Sequence, residues 1–105
     1  MTQKKKYNVS VNPAVNDRML EHVRFLAQVS IPAAERLYLS MEDAIAELES
    51  NPEICPLFNV PTFEDVDLRY KLCAKRYRIV FEISEKNVYV YDIQDCRQNS
   101  DKNLI

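Results

Sequence analysis

The chain has 105 residues, 47% of them apolar and 29% charged, the make-up of one small globular domain with a modest core. Its net charge of −2 excludes a generic nucleic-acid binder. Three widely spaced cysteines (Cys55, Cys73, Cys96), no C-x-x-C pair and a lone His22 argue against a zinc centre.

Residues 1–6 read MTQKKK with no apolar stretch behind them, so no signal peptide is expected. No apolar run reaches the length of a membrane span. A cytoplasmic protein with free thiols is the expectation.

Tyr7–Asn12 alternates Tyr7, Val9 and Val11 with polar residues and reads as a half-buried strand. Asn12-Pro13 supplies a helix cap and a first-turn proline. The helix predicted from Pro13 to Gln28 places Val15, Met19, Val23, Leu26 and Ala27 on one face. His22 reads as a surface residue of that helix. A second helix starts at Ser30 with Pro32 and runs to about Ser50. Its stripe is Ala34, Leu37, Tyr38, Met41, Ile45 and Leu48, and Asn51-Pro52 ends it. Ser40-Met41-Glu42-Asp43 resembles a capping box, but the stripe continues through it.

Residues 52–66 hold three prolines and no period, so a long loop is expected, with Leu57, Val60 and Phe63 buried. Three strands follow: Leu68–Cys73, Tyr77–Ser84 and Asn87–Ile93. With no glycine in the chain, other residues must occupy any left-handed turn position. The tail, residues 97–105, is polar and expected to be loosely ordered. The whole chain, 1–105, reads as a single α+β domain in the order β-α-α-β-β-β. Its mainly antiparallel four-stranded sheet would carry the helical hairpin on one face.

Charge is unevenly spread. Residues 13–65 carry three arginines against ten acids, a net of −7, and residues 66–86 carry six bases against three acids, a net of +3. Strand alternation sets Tyr77, Ile79, Phe81 and Ile83 on one face and Arg78, Val80 and Glu82 on the other. Leu68, Tyr70 and Leu72 are taken as the apolar side of the preceding strand, which groups Arg69 and Lys71 with Arg78 on the sheet face away from the helices. Arg97, just past the last strand, would close this cluster. Tyr89 and Tyr91 are assigned to the core with Ile93. Such close like charges require an anion or a protein carboxylate such as Glu82 or Asp92 among them. An ordinary edge strand blunted by Lys and Arg would carry the same charges. Cys96 lacks a histidine nearby in sequence, which argues against a nucleophile there.

The element order, the proline after the second helix, and the run Tyr77-Arg78-Ile79-Val80-Phe81 followed by a hydrophobic strand and a lone Arg97 resemble the RelE/ParE toxin superfamily of bacterial toxin–antitoxin modules. The first expectation is the RelE-like branch, with the ParE-like branch as the alternative. In the RelE-like branch, the resemblance implies a ribosome-dependent mRNA endonuclease that uses no metal or cofactor. The RNA 2′-hydroxyl attacks the adjacent phosphate, and the protein positions and neutralises it. On this resemblance Lys71 would act as or assist the base, Arg69 and Arg78 would hold the phosphate, and Arg97 would assist the leaving oxygen. The ParE-like branch shares the fold, inhibits DNA gyrase and cleaves no RNA. A slightly acidic chain without a His–Tyr or Glu–His pair, or an aromatic in its tail, fits that branch too. A decayed toxin acting only as a binding module is a third reading. Each implies an antitoxin partner whose acidic or amphipathic segment covers the basic face or the helical hairpin.

Overall fold

A computed structural model of the chain describes residues 6–58 and 66–97. The elements are β1 (Asn8–Val11), α1 (Pro13–Ala27), α2 (Ile31–Glu47), a short 3-10 turn (Pro52–Ile54), β2 (Leu68–Cys73), β3 (Tyr77–Ser84) and β4 (Asn87–Asp95). The α+β order read from the sequence is the order observed.

Each helix starts where a side chain can satisfy free backbone donors. Asn12 Oδ1 accepts from the Ala14 N–H at 2.9 Å, and Ser30 Oγ accepts from the Ala33 N–H at 3.2 Å. Pro13 and Pro32 occupy first-turn positions, where a missing N–H costs nothing. α2 runs unbroken through Ser40–Asp43. The Glu49 carbonyl, just past α2, accepts from the N–H groups of Lys6 and Tyr7 and so anchors the approach to β1.

The sheet order is β1-β4-β3-β2. β1 lies parallel to β4, and the other two pairings are antiparallel. α1 packs on α2 and β4, and α2 reaches β2. Between helices and sheet lie Val15, Met19, Leu37, Met41, Leu48, Ile79, Phe81, Val88, Val90 and Ile93, all buried. A fully buried side chain of this size contributes about 1.5–3 kcal/mol.

β4 carries a bulge. Val80 pairs with Asp92, but Phe81 pairs with Val90, so Tyr91 is the extra residue. Val88, Val90 and Ile93 therefore share the helix-facing side. Tyr89, expected in the core, stands opposite Glu82 and is 37% exposed. The Tyr91 hydroxyl donates to Glu82, which also places Tyr91 outside the helix-facing core.

The glycine-free turns use residues with side chains. Ala74 and Lys75, between β2 and β3, have φ of 51° and 69°, and Glu85, between β3 and β4, has φ of 56°. Leu57, expected to be buried, is 58% exposed. Val60, Phe63 and the tail beyond Arg97 lie outside the described residues.

Candidate functional site

Residues directly opposite across a strand pair share a face. Arg69 is opposite Phe81 and Lys71 opposite Ile79, whereas Leu72 is opposite Arg78. The sidedness of β2 is thus the reverse of that read from its sequence. Arg69 and Lys71 belong to the helix-facing side, Arg78 lies on the far side, and the expected cluster does not form.

Arg69 and Lys71 are engaged where they stand. Arg69 Nε donates to Asp67 Oδ1 at 2.8 Å, and its Nη1 donates to the carbonyls of Glu53 and Cys55 at 2.7 and 2.9 Å. It clasps the segment after α2 onto β2. That segment also covers the strand edge: Tyr70 N–H donates to the Pro56 carbonyl, and Phe58 N–H to the Leu68 carbonyl. Lys71 Nζ lies 2.8 Å from Glu47 Oε2 of α2. The pair borders a cleft of about 300 Å³ lined also by Leu48, Asn51, Ile54 and Cys55.

Arg97 is held by Asp95. Its backbone N–H donates to Asp95 Oδ1 at 2.9 Å, and Nε and Nη2 each lie 3.3 Å from a carboxylate oxygen. Burial would push the Asp95 carboxyl up, but the side-chain and backbone N–H groups of Arg97 outweigh it and hold the carboxyl below its ordinary range. Asp95 stands opposite Tyr77, on the helix-facing side. It lines a cleft of about 360 Å³ with Arg18, Arg24 and His22.

His22 is not a surface residue but is buried, 6% exposed. β1 pairs with β4 only as far as Val90, and α1 runs beside the remainder. There His22 Nε2 lies 2.9 Å from the Ile93 carbonyl, while the Ile93 N–H donates to Asp92 Oδ1 at 2.9 Å. Side chains thus supply at Ile93 the bonds a further strand residue would make.

Arg78 alone of the four cations stands on the far face. Its guanidinium carbon is 5.0 Å from the Phe58 ring centroid, and Phe58 meets the Tyr70 ring edge-on at 6.1 Å. Its Nε donates to Gln94 Oε1 at 2.6 Å. Leu72, opposite Arg78, is 59% exposed. Glu82 on the same face is engaged by Tyr91, whose hydroxyl this carboxylate pushes up to about 12. The result is one cation among aromatic and aliphatic side chains, where an array of cations was expected. Sequence reading missed Phe58 and Gln94. The spacing of Asp92 and Gln94, two polar residues two apart in a hydrophobic strand, was a usable signal for a shared face.

A family model for the ParE toxin of type II toxin–antitoxin systems, parDE, matches residues 9–100. The chain belongs to the ParE toxin family. No curated protein matches it. Membership implies an antitoxin partner for this ParE-family toxin. Among its described residues no group of three or more His, Cys, Asp or Glu side chains could hold a metal ion, and no helix is long and apolar enough to cross a membrane.

Proposed function

We propose that this toxin acts by docking on a protein, with DNA gyrase as the target, as the ParE-like branch of the resemblance implies. The observation that carries the reading is the dispersal of Arg69, Lys71, Arg78 and Arg97. Three are held by Asp67, Glu47 and Asp95, and only Arg78 stands among Phe58, Tyr70 and Leu72. Phosphoryl-transfer catalysis without a metal needs several cations converging on one phosphate. Protein interfaces instead favour an arginine set among aromatic and apolar side chains with few other charges. A gyrase supercoiling assay tests this. The wild-type toxin is expected to block supercoiling, and Arg78→Ala to lose the block while still folding.

The RNA-cleaving reading keeps one observation in its favour. A cation beside Phe58 and Tyr70 is also the pairing used to grip single-stranded RNA. Primer extension on an abundant transcript after induction separates the two. New 5′ ends within translated codons, lost in Arg78→Ala, with unaltered supercoiling would replace the docking reading by the nuclease one.

A further inference from the structure

A chain of buried polar contacts leads from α1 to Arg78. Arg18 Nε lies 3.6 Å from Asp92 Oδ1, Gln94 Nε2 donates to Asp92 Oδ2 at 3.0 Å, and Arg78 Nε donates to Gln94 Oε1 at 2.6 Å. Asp92 and Gln94 are each 0% exposed. The chemistry permits only one direction along this chain. An ionised carboxylate accepts and a guanidinium donates, so the amide between them must turn its nitrogen to Asp92 and its oxygen to Arg78. If Asp92 offered a donor instead, the amide could turn over and present N–H groups to a cation.

We propose that Asp92 and Gln94 are positioning residues for Arg78. Asp92 fixes the orientation of the Gln94 amide, and the amide oxygen holds Arg78 by Nε. Among the described residues nothing bonds to the two terminal nitrogens of Arg78, so the guanidinium is held at one end and offers the other to a carboxylate of the protein partner. Such a fork is the geometry that binds carboxylates in pairs of bonds. Fixing it in advance removes the cost of ordering a long side chain on binding. This function for the fork rests on the docking reading above, but the positioning itself does not.

The test uses the purified toxin and three variants: Gln94→Met, Asp92→Asn, and the double exchange Asp92→Asn with Gln94→Glu. The double exchange restores the order of donors and acceptors, since an asparagine amide can donate to the new carboxylate, which accepts from Arg78. The first readout is the hydrogen-exchange rate of the Arg78 Nε–H by NMR, which a merely structural role would not move. Both single variants are expected to speed it about tenfold or more, the scale of one lost charge-assisted bond, and the double exchange to return it to within about threefold of wild type. The second readout is gyrase inhibition, expected to fall and recover in parallel. Unchanged exchange in both single variants, with melting curves showing them folded, overturns the proposal. So does failure of the folded double exchange to restore slow exchange. Exchange that responds as expected while gyrase inhibition is absent even in the wild type upholds the positioning and overturns the docking reading.

Discussion

Lys71 stands opposite Ile79, on the side of the sheet that faces the helices, while its sequence neighbour Leu72 stands opposite Arg78. This register separates two cations that lie seven residues apart along a tight hairpin. It also gives Lys71 a partner in Glu47. The pair is partly exposed, and such pairs contribute roughly 0–1 kcal/mol. Lys71→Ala is therefore expected to leave growth inhibition intact on induction and to shift stability by less than about 1 kcal/mol. Arg78→Ala is expected to abolish inhibition. Growth curves after induction of each variant check the contrast.

Acid should find Asp95. Its folded-state pKa lies below the ordinary value of 3.8, because the Arg97 bonds outweigh the effect of burial. The sign follows by linkage: the contribution is present above the unfolded-state pKa and is lost as pH falls through the lower, folded value. Arg97→Ala removes two of the bonds holding the carboxylate and leaves the burial. The midpoint of acid unfolding followed by circular dichroism is expected at higher pH in Arg97→Ala than in wild type.

The thiols should differ sharply in reactivity. Burial pushes Cys55 and Cys73 up, which leaves little thiolate at neutral pH, and both side chains are buried. Cys96 is exposed. Iodoacetamide at neutral pH is expected to add one group per folded chain, at Cys96, and three in denaturant, as read by intact mass.

The turn at Glu85 stores strain. A positive φ at the first residue of a two-residue hairpin loop is the place where glycine usually sits, yet Glu85 is there with φ of 56°. A residue with a Cβ in this region costs about 1 kcal/mol. Glu85→Gly is expected to raise the melting temperature by about 4–8 °C, the equivalent of about 1 kcal/mol in a domain of this size. Glu85→Ala should give no such rise, which separates backbone strain from charge. Thermal melts of both variants decide it.

The order of elements was legible because each helix carries its own start signal, Asn12-Pro13 and Ser30 with Pro32, and each strand its own hydrophobic run. The sidedness of β3 was legible as well, since Tyr77, Ile79 and Phe81 are all buried and belong to the core between helices and sheet. β2 misled because both of its faces are part apolar. Leu68, on the far side, is 2% exposed, and Arg69 on the helix-facing side spends its donors on Asp67 and two carbonyls. A polar residue with three such partners does not need open solvent, and no period-2 pattern reports that. His22 misled for the same reason. Its ring nitrogen is satisfied by a carbonyl 71 residues away in sequence, a pairing that only the tertiary structure creates.

The bulge at Tyr91 makes β4 two half-strands spliced out of step. Before it, even-numbered residues, Val88 and Val90, fill the core. After it, the odd-numbered Ile93 does, and the even-numbered Asp92 and Gln94 turn away to hold Arg78. The splice therefore lets one strand serve a dry interior with one half and a polar mechanism with the other. The count of residues matters here more than their identity. A regular strand that kept Tyr91 but lacked the bulge would drive a carboxylate and an amide into the hydrocarbon core and expel Ile93 from it, a frame error in three dimensions that no side-chain substitution could reproduce.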